Sequence, residues 1–347
     1  FMLKPSHKIA VYMEAHIDSD YGKMGCGVVR YLTNPIVGVI DNKLAGKSIQ
    51  DFMPTSKDIP ILPNLTEAIE KGAEVLILGI APSGGKIPES WNPIIEEALK
   101  AGLSIVNGLH DLLSDKWDDY IKNSKNQWIW DVRIPQFSPS IASGKAASLK
   151  NKRILFIGTD MAVGKMTAGL ELYSHYIENK ENIGFVATGQ IGITVTGKGI
   201  PLDAFKVDHA CGAVEQAVLD QEGKDIIIIE GQGSLLHPGS TATLPLIRGS
   251  CPTHLILCLR AEMQTLRSPE NIKIPNLKKF INLNETLCSV FGTYPQSKVV
   301  GIAANTSKLS KLESETYISG LEEKLQLPVT DPIRFGMEKL AKAIELS

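Results

Sequence analysis

Short, continuous apolar runs alternate along the chain with longer segments in which apolar residues recur every three or four positions. A continuous apolar run is typical of a strand buried on both faces of a parallel sheet, and the wider spacing is typical of an amphipathic helix. The runs that predict strands cover residues 9–13, 36–40, 75–80 and 104–106, and then 153–157, 183–187, 226–229, 255–259 and 299–303. The predicted helices cover residues 66–71, 93–101, 165–179, 213–221, 270–280 and 314–325. This alternation predicts an α/β protein built from doubly wound parallel sheets.

The alternating pattern lapses between residues 128 and 150, where Pro, Ser and Gly accumulate. A chain of 347 residues is also long for a single core. We therefore predict two domains that divide near residue 150. Residues 1–150 would form a Rossmann-like α/β domain, and residues 151–347 would form a second doubly wound domain.

Composition narrows the class of protein. The 36 Lys and Arg residues nearly balance the 38 Asp and Glu residues, so no basic field is present to hold nucleic acid. No apolar run has the length of a membrane span, and the start of the chain lacks the pattern of a secretion signal. Five scattered cysteines without a C-x-x-C pair favour a reducing compartment. We expect a cytoplasmic protein that binds neither nucleic acid nor membranes, and the sequence leaves open whether it is a homo-oligomer.

The most specific motif spans residues 154–167 and reads I-L-F-I-G-T-D-M-A-V-G-K-M-T. An apolar strand leads into Gly158, and a helix is predicted to begin at Lys165, directly after Gly164. Glycines let successive backbone N–H groups face a phosphate, the helix N-terminus adds its dipole, and the lysine reaches the terminal phosphates. The motif predicts a P-loop NTPase-like second domain, with Thr159 and Asp160 also at the cofactor.

One position departs from the phosphate-loop pattern. The Ser or Thr that normally follows the lysine and binds Mg²⁺ is replaced by Met166, and Thr167 comes one place later. Helical spacing puts Met166 on one face with Leu170 and Tyr173, which predicts that it packs against the sheet, while Thr167 points about 100° away. Both residues are predicted to lie at the cofactor, and magnesium binding stays open.

A second motif, D-I-I-I-I-E-G-Q-G-S, covers residues 225–234. Four isoleucines predict a central buried strand, and Glu230 follows at its carboxyl end beside Gly231 and Gly233, two glycines predicted to lie at the cofactor. A carboxylate in this place can hold a metal ion or a metal-bound water next to phosphates. The alternative is a solvated acid at the end of a strand.

Together the two motifs resemble those of dethiobiotin synthetases, whose loop likewise begins G-T-D and ends V-G-K and whose second motif is E-G-x-G. The resemblance covers roughly residues 153–340. It implies that Glu230 binds Mg²⁺ and that Asn305 contacts adenine. A substrate-binding lysine of that family is missing here, because the matching segment, A-T-G-Q-I-G, carries Gln190 instead, and Gln190 is predicted to lie at the cofactor.

The whole chain is more similar to a two-domain P-loop family that includes bacterial D-glutamate N-acetyltransferases. The matching motifs are V-I-D-N-K-L-A-G-K (39–47), G-T-D-M-A-V-G-K-M-T (158–167), A-T-G-Q-I-G (187–192), G-I-P-L-D (199–203), E-G-Q-G-S-L-L-H-P (230–238) and L-P-V-T-D-P (327–332). The resemblance implies an N-acetyltransferase that binds acetyl-CoA and acts on a small carboxylate or amino acid. A loop without the Mg²⁺ hydroxyl agrees with binding coenzyme A rather than ATP, although ATP stays possible as the cofactor.

Acyl transfer to an amine requires a general base. The candidates for the base are Glu230, His237 and Asp203. Glu230 and Asp208 are also the candidate metal ligands. The alternative for His237, Asp203 and Asp208 is that they are solvated turn or loop residues. Arg260 ends a predicted strand and could pair a substrate carboxylate, although a surface arginine is the preferred interpretation.

Three function classes survive these arguments. The first is an amino-acid N-acetyltransferase that binds a nucleotide or coenzyme A, the second is an ATP-dependent, magnesium-requiring ligase of the dethiobiotin synthetase type, and the third is a nucleotide-sensing module without catalysis. An NAD-dependent oxidoreductase is a distant fourth. It would need Asp41 to hold a ribose, and the segment Y-G-K-M-G-C-G (21–27) matches a dinucleotide fingerprint only loosely.

Overall fold

The computed structural model describes residues 3–347 and divides the chain into two compact units. The first unit contains the chain up to Pro135 together with the segment Gln190–Pro201, and the second contains Gln136–Gly189 and Leu202–Ser347. In the part of the chain that the structure describes, none of the helices has the length and apolar character needed to cross a membrane.

The elements follow the predicted alternation of strands and helices. Up to Pro135 they are β1 (Ile9–Tyr12), α1 (Lys23–Tyr31), β2 (Ile36–Ile40), β3 (Ile61–Leu62), α2 (Leu65–Glu70), β4 (Val75–Leu78), α3 (Asn92–Lys100), β5 (Ser104–Asn107), α4 (Ser114–Ile121) and β6 (Ile129–Asp131). After it they are β7 (Lys152–Gly158), α5 (Lys165–Glu178), β8 (Ile183–Val186), α6 (Gln190–Thr196), α7 (Val207–Leu219), β9 (Ile226–Ile229), α8 (Thr243–Ser250), β10 (His254–Arg260), α9 (Leu277–Ser289), β11 (Lys298–Asn305), α10 (Lys311–Leu325), β12 (Val329–Thr330) and α11 (Glu338–Glu345).

The first unit is built on a six-stranded parallel sheet in the order β3-β2-β1-β4-β5-β6. This is the strand order of Rossmann folds. Residues of β1, β4 and β5 are fully buried, as their continuous apolar runs predict. The predicted fold class is therefore confirmed for this half of the chain.

The second unit carries another six-stranded parallel sheet, in the order β12-β11-β10-β7-β9-β8. The central strand, β7, lies between β10 and β9, so the loop that follows it reaches the middle of the carboxyl edge of the sheet. In open parallel sheets ligands bind at this edge, where the strand order reverses. The two predicted motifs follow β7 and β9, which are neighbours, and so they meet at this edge.

The units divide after Pro135, earlier than the predicted boundary near residue 150. Residues after Pro135 belong to the second unit because Glu215 of α7 holds them. The buried Glu215 carboxylate accepts hydrogen bonds from the Ser143 and Lys145 backbone N–H groups at 2.8 and 2.7 Å. The segment 128–150 is also not all linker, because its first residues form β6 at the edge of the first sheet.

Candidate functional site

The phosphate loop has the strand–loop–helix context that its motif predicts. Strand β7 ends at Gly158 and helix α5 begins at Lys165, with Gly164 as its N-cap residue. Gly164 has φ +105°, a left-handed conformation that residues with a side chain rarely adopt. A Cβ atom on Gly158 would lie 2.8 Å from Lys165 Nζ, so this glycine leaves the room that the lysine occupies. Both glycines thus have a steric role in the loop.

Lys165 is buried at the first turn of α5, with 6% of its surface exposed. Its Nζ donates a hydrogen bond to the Asp160 carbonyl at 2.8 Å, so the ammonium lies across the loop. Burial lowers the pKa of Lys165 to about 8, although Cys258, Asp160 and Glu230 act in the opposite direction. A bound phosphate would bring a negative charge next to Lys165 and so favour the protonated form of its side chain.

The Asp160 carboxylate is committed to the main chain. It is buried, and its two oxygens accept hydrogen bonds from Met161 N at 2.7 Å and Arg267 N at 2.9 Å. Asp160 therefore shapes the phosphate loop through its side chain, and its carbonyl holds Lys165. The predicted position of Asp160 at the cofactor stays a prediction.

Glu230 follows β9 at the same edge and is 1% exposed. Its Oε2 accepts hydrogen bonds from Thr188 N at 2.8 Å and Gly189 N at 3.2 Å, and its Oε1 accepts a long bond from Gln232 Nε2 at 3.5 Å. Burial raises the pKa of Glu230 to about 7, against the lowering effect of the two backbone N–H groups and of Lys165. The prediction that Glu230 comes next to the phosphate loop agrees with this geometry.

Two glycines after Glu230 let the chain pass close to its neighbours. A Cβ atom on Gly231 would lie 1.7 Å from the Phe156 carbonyl oxygen and 2.9 Å from Lys165 Cδ. Gly233 has φ +64°, and a Cβ atom there would meet Ser240 Oγ at 1.7 Å. Gly231 is therefore required for close packing against β7, and Gly233 for the close approach of Ser240.

The packing of Met166 against the sheet stays a prediction, because Leu170 on the same face of the helix is buried whereas Met166 is partly exposed. The buried face of α5 is formed by residues three and four positions apart that begin with Lys165 and Ala168. Met166 and Thr167 are each half-buried, and Ile177, on the same face as Met166, is 50% exposed. The helix turns Lys165 inward, and Met166, one place later, lies about 100° around the helix axis from it.

His237 is held by both ring nitrogens. Nδ1 accepts a hydrogen bond from Gly239 N at 3.1 Å, and Nε2 lies 2.7 Å from the Ser268 carbonyl oxygen. A backbone N–H can only donate and a carbonyl can only accept, so the proton is on Nε2. Neither nitrogen then has a free lone pair, which contradicts the prediction that His237 acts as a general base in this conformation.

The two aspartates proposed from the segment 199–208 are exposed. Asp203 lies in a short 3-10 helix, Leu202–Ala204, and Asp208 lies in the first turn of α7. Within residues 3–347 no group of three or more His, Cys, Asp or Glu side chains is arranged to hold a metal ion. Their proposed catalytic and metal-binding roles stay predictions.

Asn305 is the last residue of β11 and pairs with Arg260 of β10. Its Oδ1 accepts a hydrogen bond from Ser307 N at 3.0 Å, which forms a local turn, and the contact with adenine stays a prediction. Gln190 is the first residue of α6, and its Cγ lies 3.2 Å from where a Cβ atom of Gly108 would be. Gln190 thus packs within the first unit, and its cofactor contact also stays a prediction.

A cavity of about 510 Å³ adjoins the phosphate loop in the second unit. It is lined by Thr159, Leu259, Arg260, Glu262, Met263, Gln264, Ile274, Pro275, Asn276, Leu277, Thr316, Tyr317, Gly320, Leu321 and Lys324. Arg260 Nη2 donates to the Ala162 carbonyl of the loop at 3.3 Å, so Arg260 is part of the site rather than a plain surface arginine. Its position at the end of a strand is the sequence signal that points there.

Asp41 lacks the free carboxylate that a dinucleotide-binding domain needs for a ribose. It is buried, and its oxygens accept hydrogen bonds from Leu44 N at 3.2 Å and Ala15 N at 3.0 Å. This arrangement disfavours the NAD-dependent oxidoreductase.

Comparison with protein families decides the assignment. Residues 140–341 match a P-loop domain described as a domain of unknown function, DUF1611_C, and residues 42–135 match the Rossmann-like domain DUF1611_N. The chain belongs to the DUF1611 family. The resemblance to a two-domain P-loop family is thereby confirmed, whereas the resemblance to dethiobiotin synthetases stays a prediction.

Three relatives illustrate this DUF1611 membership. A D-glutamate N-acetyltransferase from Pseudoalteromonas sp is 36% identical over 280 residues, which are 80% of this chain and 83% of that protein. A D-glutamate N-acetyltransferase from Tritonibacter scottomollicae is 35% identical over 282 residues, which are 81% and 84% of the two chains. The crystal structure of a DUF1611 family protein from Anabaena variabilis ATCC 29413 is 41% identical and superposes with a TM-score of 0.94 over 99% of this chain and 100% of that one.

Proposed function

We propose that this DUF1611 protein is an amino-acid N-acetyltransferase of the D-glutamate type, with the phosphates of acetyl-CoA bound at residues 158–165. The observation that carries the proposal is the pairing of a buried phosphate-binding lysine, Lys165, with a thioether at Met166, where P-loop enzymes have the oxygen ligand of Mg²⁺. Magnesium prefers oxygen ligands, so this loop suits the phosphates of coenzyme A better than ATP·Mg. The names of the two curated relatives support the same choice.

The reaction requires a neutral amine and a base. The nitrogen lone pair attacks the thioester carbonyl carbon, the N–C bond forms as the C–S bond breaks, the amine proton passes to the base, and the departing thiolate takes a proton from solvent. Glu230 is our candidate for the base, because a pKa of about 7 leaves it partly ionised near neutrality. Its Oε1, which makes only the long contact with Gln232 among the described residues, would accept the proton.

Lys165 and the loop would bind and orient the acyl donor. Nζ now donates to the neutral Asp160 carbonyl. A bound phosphate in place of that carbonyl would give the buried ammonium an anionic partner, and a hydrogen bond between two charged groups is stronger. The backbone N–H groups before α5 and the helix dipole act on the same phosphate. The substitution Lys165→Ala should therefore weaken donor binding more than acceptor binding.

An ATP-dependent ligase is the second candidate. The observation that favours it is Glu230 at the end of β9, because P-loop enzymes use a carboxylate in this place to hold Mg²⁺ or a metal-bound water. Against it, the Oε2 atom of Glu230 is taken by two backbone N–H groups. If magnesium binds, Glu230 Oε1 and the Thr167 hydroxyl could serve as oxygen ligands.

A single assay separates these functions. The protein is incubated with acetyl-CoA, or with ATP and Mg²⁺, against a panel of D- and L-amino acids, and the products are identified by mass spectrometry. We expect N-acetyl-D-glutamate from acetyl-CoA, its loss in Lys165→Ala, and no change in Lys311→Ala, an exposed lysine on α10 outside the site. Phosphate release that depends on a carboxylate would support the ligase, and binding without turnover would support the sensor.

A further inference from the structure

We propose that the cavity lined by Arg260 and Thr159 is the acceptor site, and that it binds an amino acid with two carboxylates. The proposal rests on the proposed function for the identity of the acceptor. It rests on the structure for the place, because two residues that line this cavity beside the phosphate loop each carry a buried polar atom without a hydrogen-bond partner among the described residues.

Thr159 and Arg260 provide those two atoms. Among the described residues, Thr159 Oγ1 and Arg260 Nε are buried and have no hydrogen-bond partner, and Thr159 is 1% exposed. Buried polar groups in folded proteins are almost always paired, and the exceptions call for a specific explanation. A bound ligand with acceptor oxygens would supply the partners that these two atoms lack.

Arg260 is placed to pair a carboxylate close to the acyl donor. Its Nη2 donates to the Ala162 carbonyl at 3.3 Å, which fixes the guanidinium against the phosphate loop. A guanidinium has five N–H donors, and the Nε–Nη2 edge matches the two oxygens of a carboxylate. A carboxylate on that edge would bring the rest of the acceptor next to the loop.

The charged side chains around the cavity complement an acidic amino acid. Arg260 and Lys324 are cationic and Glu262 is anionic, and within residues 3–347 none of the three takes part in an ion pair. An amino dicarboxylate carries two carboxylates and one ammonium, the opposite set. Glu262 also has φ +64°, and such a strained conformation in a residue other than glycine is commonly found at ligand sites.

The size of the cavity fits a small-molecule ligand. Its volume of about 510 Å³ lies within the range of about 300–1,000 Å³ that is typical of ligand pockets. Leu259, Met263 and Leu277 supply apolar walls on which the methylene groups of the acceptor can pack. The cavity therefore combines a polar end at the phosphate loop with an apolar lining.

Calorimetry on the full-length protein tests the site, with D-glutamate titrated in the presence and absence of coenzyme A. We expect Arg260→Gln to weaken D-glutamate binding at least about tenfold, as expected for loss of a charge-assisted pair, while coenzyme A binding is retained. Thr159→Val should weaken it about threefold or more, and this variant keeps its fold because the hydroxyl has no partner to lose. Lys324→Ala should weaken D-glutamate but not D-glutamine, and Lys311→Ala, on the same helix but outside the cavity, should change neither.

Each contrary result has a distinct meaning. The proposed acceptor site is wrong if Arg260→Gln and Thr159→Val bind D-glutamate as wild type does. It is also wrong if the wild-type protein binds no acidic amino acid, with or without coenzyme A. A third contrary result is that Arg260→Gln loses affinity for coenzyme A in parallel with affinity for D-glutamate. The last result would make Arg260 a positioning residue for the phosphate loop.

If D-glutamate binding depends on Arg260 but acetyl-CoA yields no product, the acceptor site stands and the proposed function fails. If product forms and its KM is unchanged in Arg260→Gln, the function stands and this site fails.

Discussion

Lys165 and Glu230 are two buried ionisable side chains at one edge of the second sheet, and burial shifts their pKa values toward each other. The pKa of Glu230 is raised to about 7 and that of Lys165 is lowered to about 8. A general base must be ionised and a phosphate-binding lysine must be protonated. We therefore expect kcat/KM for acetyl transfer to rise as pH passes about 7 and to fall above about 8.

Steady-state rates between about pH 5.5 and 9.5 measure this profile. Glu230→Gln should remove the rise near pH 7 and lower kcat by about 100-fold or more, the usual contribution of a general base. A Glu230→Gln variant that keeps the wild-type rise near pH 7 would exclude Glu230 as the base.

A second prediction at this scale concerns the close approach at Gly231. A Cβ atom there would lie 1.7 Å from the Phe156 carbonyl oxygen, so Gly231→Ala must displace the main chain of β7. We expect the free energy of unfolding to fall by about 2–3 kcal/mol, together with weaker coenzyme A binding. Gly223→Ala is the matched control, since a Cβ atom on Gly223 meets nothing within 4 Å and should leave both quantities unchanged. Chemical denaturation of the two variants gives the comparison, and equal stability would show that β7 tolerates the shift.

The sequence identifies residues whose role follows from their neighbours along the chain. Lys165 follows an apolar strand and a glycine-rich loop, and Glu230 follows an apolar strand and precedes two glycines, so their positions at the sheet edge could be predicted. The hydrogen bonds of Arg260 and His237 could not be predicted, because their partners Ala162 and Ser268 are remote in the chain. The sequence around a loop histidine does not show whether its ring nitrogens are free or hydrogen-bonded.

At the scale of elements, strands were predicted better than helix ends. The long apolar runs gave the central strands of both sheets, whereas edge strands of two or three residues, such as β3 and β12, carry too little pattern. The predicted helix 270–280 is displaced in the structure, where α9 spans Leu277–Ser289. Pro275 lies inside the predicted range and the Asn276 side chain caps the first turn by accepting from Lys279 N, so the helix starts after them.

One element-scale contact explains why the second unit starts before residue 150. Glu215 of α7 accepts hydrogen bonds from Ser143 N, Ser143 Oγ and Lys145 N. Glu215→Gln keeps the shape but replaces one acceptor oxygen by a donor, which should lower the free energy of unfolding by about 1–3 kcal/mol. Limited proteolysis should then cut within residues 136–150 faster than in wild type. Glu222→Gln, an exposed position just after α7, is the control, and identical cleavage in the two variants would contradict the assigned role of Glu215.

At the scale of the whole molecule, sequence order and compact units disagree at one segment. Helix α6 follows β8 along the chain, yet the segment Gln190–Pro201 belongs to the first unit. No local pattern could have predicted this, since the hydrophobic side chains of α6 would look the same on either unit. The decisive feature is a close approach between helices: a Cβ atom on Gly27 of α1 would lie 2.5 Å from Ile191 Cγ2.

That approach makes α6 testable as an integral part of the first unit in the full-length chain. Gly27→Ala should destabilise the protein because its methyl group collides with Ile191, and Ile191→Ala should destabilise it by the loss of packing. In the double variant the shorter side chain at 191 makes room for the methyl group, so the combined loss should be smaller than the sum by about 1 kcal/mol or more. A double-mutant cycle on thermal or denaturant unfolding measures this coupling. Additive effects would mean that α1 and α6 do not contact in solution, whereas a positive coupling would tie a segment from the phosphate-loop half of the sequence to the Rossmann-like fold.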